Sequence, residues 1–292
     1  MFANLVAIIA PTLLVAGLGY GWARLGYGFE RDFVTRIVFN VGAPCLIFSA
    51  LSAPPGGAVA LGNMGLAAGC AYAAFLTLAW GVTRIARLNP ATYLPPLAFP
   101  NTGNMGLPLC LFAFGETGLA YAIAFFVTGT ALQFTLGVAV SSGRLGLENL
   151  VRAPVLYATA AALALIALGV SPPRWLLNTT RLVGNLAIPL MLITLGVSLA
   201  RLRVSSFGRS LAFAVMRLAG GFAIGLGVVH LLGLHGAERG VVIIEASMPA
   251  AVLNYLLASR YQHQPEEVAG IILLSTVLSF LTLPLLLGIA LD

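Results

Sequence analysis

Long apolar stretches occupy most of the chain and alternate with short segments that carry Arg, Gly and Pro. A helix needs roughly 20 apolar residues to cross the hydrocarbon core of a bilayer, and ten stretches approach that length. The short alternating segments that mark an outer-membrane barrel are missing from the sequence. The pattern therefore predicts an all-α integral membrane protein of about ten transmembrane helices. The predicted spans are residues 5–22, 34–51, 59–82, 93–114, 119–140, 154–170, 182–199, 211–232, 240–257 and 268–287.

Composition and charge agree with a lipid environment. Hydrophobic residues make up 60% of the chain and charged residues 8%, whereas a soluble domain is about 25% charged. Eleven arginines lie in predicted loops or at a span end on one side of the membrane, three lie on the other side, and Arg217 lies inside the eighth span. Because cytoplasmic loops carry the excess of Arg, we expect a multi-pass protein of the cell (inner) membrane with both termini on the non-cytoplasmic side. The formal net charge of +6 is explained by these loop arginines, so no nucleic-acid partner is predicted. The three scattered cysteines predict no metal site or cofactor.

A short motif recurs in the two halves of the chain at a constant offset of 145 residues. Thr35, Arg36, Val38, Asn40 and Pro44 in the second span correspond to Thr180, Arg181, Val183, Asn185 and Pro189 in the seventh. Chance similarity between apolar helices is the alternative, but the fixed spacing argues against it. We therefore predict two five-helix repeats, residues 1–142 and 153–292. An odd number of spans inserts the second repeat in the opposite sense, as in many secondary transporters.

The fourth span is predicted to be broken, because four prolines and two glycines fall within sixteen of its residues. Unwound backbone at this depth is tolerated where it is buried or lines a cavity. Here it offers the polar groups of Asn101, Thr102, Gly103 and Asn104 to a guest. The half-helix that follows directs its N-terminal dipole to the same place, which favours an anion. The crossover-structural residues are predicted to be Pro100, Gly106, Pro108 and, in the ninth span, Pro249.

The ninth span is predicted to break at Pro249, which makes Pro249, Ala250 and Asn254 further substrate-binding candidates. Glu245 lies well inside this span, and an acidic group at a helix centre costs about 2.5–3.5 kcal/mol on insertion scales. Glu245 is therefore either half of a structural ion pair, with Arg217 as the partner, or a cation ligand or proton carrier.

Both breaks carry residues that resemble the auxin efflux carrier family, which includes the plant PIN-type carriers and bacterial organic-acid transporters. The family pattern Pro-Asn-Thr-x-x-Met-Gly-(Ile/Leu)-Pro-Leu is similar to residues 100–109. A second pattern is similar to Pro249, Ala258, Tyr261, Pro265 and Glu266. The likeness extends along essentially the whole chain.

This resemblance implies inverted repeats whose broken helices 4 and 9 cross at the centre, as in bile-acid sodium symporters and sodium/proton antiporters. Helices 1, 2, 6 and 7 would form a scaffold, with a homodimer expected through it, and helices 3–5 and 8–10 a transport domain that moves as an elevator. The substrate carboxylate would lie against Asn101. Glu245 and Met248 resemble a sodium-binding Glu-x-x-Met segment, although Pro249 departs from that pattern.

The remaining polar residues of the spans give further candidates. Asn40 and Asn185 either face the substrate path from the scaffold or pack between helices. Thr128, Gln133 and Ser275 either complete a cation-coupling site with Glu245 and Met248 or bond to helix carbonyls. Na⁺ and H⁺ both remain open as the coupling ion.

Together these residues predict a secondary active transporter of a small organic anion, either an auxin-like acid or another carboxylate such as malonate. A cation/proton antiporter is the first alternative, but its usual crossover Asp is missing, since Asp32 and Asp292 both lie outside the predicted spans. A receptor that binds the anion without moving it is the second. Enzymatic activity is not expected, because no span carries an Asp and the histidines fall at span ends or in loops.

Overall fold

The computed structural model describes the backbone of residues 2–52 and 57–291, together with their side chains except at residues 2–4, 147 and 149. Asp292 lies outside the described residues. Within them every regular element is helical, and the β interaction is a bridge between Pro100 and Ala250. The all-α prediction is confirmed.

The first half contains α1 (Phe2–Arg24), α2 (Arg31–Ile37), a π-helical segment (Val38–Gly42), α3 (Ala43–Leu51), α4 (Gly57–Ile85), α5 (Pro90–Ala98), a second π-helical segment (Thr102–Gly106), α6 (Leu107–Leu132), a third (Gln133–Gly137) and α7 (Val138–Ser142). The short helix α8 (Leu147–Val151) connects the halves. The second half contains α9 (Pro154–Ala167), α10 (Arg174–Gly184), α11 (Ala187–Arg201), α12 (Phe207–Leu232), α13 (Gly236–Ala246), α14 (Val252–Tyr261) and α15 (Pro265–Leu291).

Seven helical stretches of the described chain are long and apolar enough to cross a membrane. They are Leu5–Arg24, Arg31–Leu51, Gly57–Ile85, Thr102–Ser142, Arg174–Arg201, Phe207–Leu232 and Pro265–Leu291. The sixth predicted span corresponds to the shorter apolar helix α9. The fourth and ninth are pairs of half-helices, and Gly115, with φ of 64°, separates the fourth span from the fifth inside α6. The arrangement of about ten spans with breaks in the fourth and ninth is thus confirmed.

Several spans begin earlier than predicted. The second and seventh spans begin at Arg31 and Arg174 rather than at residues 34 and 182. Arg181, which was expected in a loop, therefore lies inside α10. Hydropathy alone misses such starts because Arg can keep its charged head in water while its stem covers an apolar surface.

The break in the fourth span is also narrower than predicted. Pro95 and Pro96 lie inside α5, and Pro108 lies in the first turn of α6. A proline in a first turn lacks only an N–H that would have no helical partner anyway. α5 ends two residues beyond Pro96, so the disruption stays local. The unwound backbone is confined to residues 99–101.

Glycines allow the spans of one packed group to approach closely. α1 packs against α11, where a Cβ on Gly19 would collide with the backbone of Ile193 and one on Gly196 with the backbone of Ala16. In the second and seventh spans Gly42 faces Ala187, which lies 145 residues later, the offset of the sequence repeat. These two spans therefore cross at repeat-equivalent positions.

The helices pack in two groups. α1, α3, α9, α10 and α11 make their most extensive contacts with one another, and so do α4, α5, α6, α12, α13 and α15. The crossing of the broken spans lies in the second group, and the cavities described below lie along its border with the first.

Candidate functional site

The unwound segments of the fourth and ninth spans cross as a short antiparallel pair. The Asn101 N–H donates to the Pro249 carbonyl at 2.7 Å, and the Ala251 N–H donates to the Phe99 carbonyl at 3.0 Å. These bonds satisfy backbone groups that have no helical partner and no water in a bilayer. Pro249 and Ala250, predicted to bind substrate, here form the crossing itself.

Three polar side chains hold the crossing. The Asn254 Nδ2 donates to the Phe99 carbonyl at 3.1 Å, and the Gln133 Nε2 donates to the Asn254 Oδ1 at 2.9 Å. The Ser275 hydroxyl accepts the Ala250 N–H at 3.2 Å. Asn254 and Ser275 are therefore engaged with the backbone of the crossing, and Gln133 extends this bracing to the fifth span.

Helix ends of like polarity meet on each side of the crossing. The half-helices that start at Thr102 and Val252 begin beside one small cavity of about 50 Å³. Helix N-termini carry partial positive charge and free N–H groups, so both contribute positive potential to this space. We call it the crossover cavity; it is lined by Phe39, Tyr72, Pro100, Asn101, Thr102, Gly103, Asn104, Phe126, Gly129, Thr130, Gln133, Phe134, Ala251, Val252 and Leu253.

Asn101 is the polar side chain whose surroundings best suit the binding of a ligand. Its side chain is only 3% exposed and lines the crossover cavity, and its Nδ2 has no hydrogen-bond partner among the described residues. A buried polar group without a partner costs roughly 1–3 kcal/mol. An acceptor atom in the cavity would remove this cost, and the surrounding helix N-termini favour an acceptor with negative charge.

Two larger cavities adjoin the crossover cavity, with which both share Phe39, Phe134 and Leu253. One, of about 130 Å³, is lined by Arg31 and by Asn104 of the break. The other, of about 370 Å³, includes Asn40, Arg152 and Arg260 in its wall. Three arginines therefore border the route to the crossover cavity from this side.

A further cavity of about 570 Å³ lies toward the opposite ends of the second and seventh spans. Its lining includes Ser49, Glu116, Arg181 and Asn185. The repeat pair Asn40 and Asn185 thus borders cavities on opposite sides of the crossing, and neither residue reaches the crossover cavity.

Glu245 is fully buried, with 0% exposure. The Cys110 thiol donates to its Oε1 over 3.7 Å, while Oε2 has no hydrogen-bond partner among the described residues. The carboxyl group packs against Gly106, whose missing Cβ leaves room for it. Among the residues that the structure describes, Glu245 is thus a carboxyl group that the fold encloses without a charged partner.

Arg217 does not form the ion pair with Glu245 that was one of the two alternatives for that carboxyl group. Its guanidinium donates to three backbone carbonyls, those of Leu97 at 2.6 Å, Met248 at 3.2 Å and Ala246. It also lies 4.3 Å above the centre of the Phe75 ring. The ion pair fails because the ends of α5 and α13 lie within reach and provide carbonyl acceptors at a closer distance.

The five predicted cation-coupling residues do not share one cavity. The Thr128 hydroxyl donates back to the Ala124 carbonyl at 3.0 Å, and the Met248 carbonyl accepts from Arg217. Gln133 borders the crossover cavity, whereas Glu245 lies apart beside Cys110. In the part of the chain that the structure describes, no group of three or more His, Cys, Asp or Glu residues could hold a metal ion.

Sequence reasoning missed the arginines that border the cavities. Arg31, Arg152 and Arg260 were used only to assign topology, because they lie in separate segments of the chain. A local motif cannot show that these segments converge. For Arg217 the signal was present, since a lone Arg in an apolar span requires a partner, but the partners are backbone atoms of distant residues.

Comparison with known proteins agrees with this fold. A family model described as a membrane transport protein matches residues 5–149 and 140–287. An uncharacterized transporter of Methanothermobacter thermautotrophicus is 31% identical over 98% of each chain. An uncharacterized transporter of Methanocaldococcus jannaschii is 28% identical over 63% of each chain. A Rhizobium meliloti protein named "Putative malonate transporter" is 24% identical over 96% of this chain and 94% of its own. The chain therefore belongs to the membrane transport protein family, which is the auxin efflux carrier family that its fourth-span motif resembles.

Proposed function

We propose that this protein is a secondary active transporter that moves a small organic anion across the membrane and binds its carboxylate group in the crossover cavity. The observation that carries the proposal is the buried, unpartnered Nδ2 of Asn101, which lines that cavity between two helix N-termini. One donor side chain and two partial positive charges match a single carboxylate group.

The sizes of the cavities limit how such a substrate is held. The crossover cavity, at about 50 Å³, is smaller than the adjoining cavities of about 130 and 370 Å³, and we assign only the carboxylate group to it. The rest of the substrate would extend into the adjoining cavities. Their arginines would raise the local concentration of anions and lie where a second carboxylate group would extend, which favours a short dicarboxylate such as malonate. The Rhizobium meliloti relative named for malonate supports the same class.

We further propose an elevator mechanism. The scaffold would consist of helices 1, 2, 6 and 7, and the transport domain of helices 3–5 and 8–10. This division follows the two packed groups of helices. Cavities lie along their border on both sides of the crossing, so a rigid displacement of the second group would open the crossover cavity to each side in turn. With both termini outside the cytoplasm, the cavities that Arg31 and Arg152 border face the cytoplasm.

Coupling is proposed to use a proton on Glu245. An ionised carboxylate enclosed without a charged partner is expensive, and such groups usually become neutral. Binding and release of a proton at Glu245 would therefore follow the exposure of the transport domain to one side or the other.

The test is charge movement by purified protein in liposomes on a supported membrane after jumps in the concentration of malonate, indole-3-acetate and other carboxylates. Asn101→Ala should raise the apparent Kd for the carboxylate about 10–100-fold, because a hydrogen bond to a charged group contributes roughly 1.5–3 kcal/mol. Asn63→Ala is the matched control, since Asn63 is exposed on α4 and borders none of these cavities.

Each other outcome has a distinct meaning. If Asn101→Ala binds the carboxylate with wild-type affinity, the carboxylate does not bind in the crossover cavity. Currents from Na⁺ or H⁺ alone, with silence from every acid, would instead establish a cation/proton antiporter. Saturable binding of an acid without any current or uptake would establish a receptor.

A further inference from the structure

The C-terminal ends of the two half-helices that lead into the crossing, α5 and α13, both contact the side chain of Arg217. α5 ends at Ala98 and α13 at Ala246, and Arg217 of α12 donates to the Leu97 carbonyl of the first, to the Ala246 carbonyl of the second and to the Met248 carbonyl in the unwound segment just beyond α13. The side chain is 2% exposed. Its position is therefore fixed by two carbonyls from the last turns of these half-helices, which have no helical partner, and by one carbonyl of the unwound backbone.

The charges at this point balance without a carboxylate. A helix C-terminus carries roughly half a negative elementary charge, so two of them carry about one. A guanidinium group carries one positive charge and stays protonated in proteins. Arg217 therefore neutralises both ends, and a second cation beside it would be left without compensation.

In transporters built from inverted repeats with broken helices, unwound carbonyls and half-helix C-terminal ends are the groups that coordinate a coupling Na⁺. We propose that the Arg217 guanidinium is a resident cation that occupies this place, so that the protein binds and transports its carboxylate substrate without Na⁺. The part of this inference that concerns transport rests on the proposed function. The absence of Na⁺ binding at the crossing is independent of which substrate the protein carries.

The residues around the Arg217 guanidinium leave space for it between α12 and α13. Gly221 and Gly225 of α12 face Ala246, and a Cβ on Gly221 would lie 2.8 Å from the Arg217 Nη2. The Phe75 ring of α4 stacks on the guanidinium, with its centre 4.3 Å from the Cζ atom. Small residues and an aromatic ring face therefore border the guanidinium, surroundings that suit a planar, delocalised cation.

Two substitutions separate the charge of Arg217 from its hydrogen bonds. Arg217→Lys keeps the positive charge, whereas Arg217→Gln keeps an N–H donor and removes the charge. The matched control is Arg209→Gln on the same helix, because Arg209 is exposed and its partners, Tyr93 and Glu267, lie away from the crossing. Thermal unfolding of each purified full-length variant is measured in NaCl and in choline chloride of equal ionic strength.

For wild type, Arg217→Lys and Arg209→Gln, we expect the Tm of each protein in NaCl to equal its own Tm in choline chloride. Arg217→Gln should gain a saturable, Na⁺-specific rise of about 3 °C at tenfold excess over its Kd for Na⁺. A Na⁺-specific rise in the wild type would overturn the proposal. Equal Tm values of Arg217→Gln in both salts would overturn it as well, because the vacated carbonyls would then have no need of a cation.

Uptake in liposomes gives the second readout and covers the case in which Arg217→Gln does not fold. Wild-type uptake should be the same with Na⁺ or choline outside, and Arg217→Lys should retain that indifference. Sodium-stimulated uptake by either protein would overturn the proposal. If no carboxylate is taken up at all, the proposed function fails, while the Na⁺ dependence of Tm still decides the role of Arg217.

Discussion

Replacing Gly221 with Ala tests the packing that places Arg217 at the crossing. Gly221 lies on α12 four residues after Arg217 and faces the end of α13. The added Cβ would lie 2.8 Å from the Arg217 Nη2 and closer still to the Ala246 carbonyl oxygen. Ordinary contact begins at 3.4 Å, so the nitrogen must move by at least about 0.6 Å. The methyl group therefore separates the donor from its acceptor.

The size of the effect follows from three contributions. Loss of a hydrogen bond that involves a charged group costs roughly 1.5–3 kcal/mol, and overpacking a close helix contact costs about 1–3 kcal/mol. Ala gains up to about 1 kcal/mol over Gly from helix propensity. We expect Gly221→Ala to lower the free energy of unfolding by about 2–4 kcal/mol, which corresponds to a fall in Tm of about 5–15 °C.

The control is Gly227→Ala on the same helix, where an added Cβ meets no atom within 4 Å. It isolates the helix-propensity gain, so its Tm should equal or slightly exceed that of the wild type. Tm is measured on detergent-purified protein, and carboxylate uptake on the same preparations in liposomes. If Gly221→Ala proves as stable and as active as Gly227→Ala, then α12 and α13 are not held as closely as the guanidinium contacts require, and the account of Arg217 fails with them.

Two further predictions concern the buried polar groups of the crossing. Glu245→Gln should leave carboxylate affinity within about twofold and remove the acceleration of uptake by a proton gradient, because the amide cannot exchange a proton; an unchanged response to the gradient in liposomes would return Glu245 to a packing role. Asn254→Ala should lower the free energy of unfolding by about 2–4 kcal/mol, since it leaves the Gln133 amide without a partner and removes one of the two hydrogen bonds that the Phe99 carbonyl accepts. In a double-mutant cycle Gln133→Ala should then cost less in the Asn254→Ala background than in the wild type, and full additivity in unfolding experiments would contradict that bond.

Hydropathy and the repeat were sufficient to predict the architecture, because lipid exposure selects residue type over lengths of about 20 residues. The offset of 145 residues predicted that the second and seventh spans are equivalent members of two repeats, and in the structure Gly42 and Ala187 of these spans also meet at that offset. Helix starts were less predictable. The segment that begins at Arg174 is polar enough to be assigned to a loop, although it continues into an apolar helix that buries its other end.

The site was predictable only where one local segment supplies it. Residues 101–104 follow each other in the break and all line the crossover cavity, as their motif suggested. Arg217 is different, since its acceptor at Leu97 lies 120 residues earlier and its acceptor at Ala246 lies 29 residues later. Nothing in a local pattern states which backbone ends will meet an arginine. Gln133 was likewise assigned to a cation site, whereas its partner Asn254 lies 121 residues away.

The bonds at the crossing bear on how the protein could alternate between two sides. Arg217 joins α12 to the ends of α5 and α13, and Gln133 joins the fifth span to Asn254 of α14. A local rearrangement that opened the crossing would separate these elements and leave several carbonyls unpaired at mid-membrane depth, each at a cost of several kcal/mol. Displacement of α4–α7 and α12–α15 as one body breaks none of these bonds. It changes only the border with the first packed group of helices, where the cavities already interrupt the packing, and this difference in cost favours rigid-body movement over local gating.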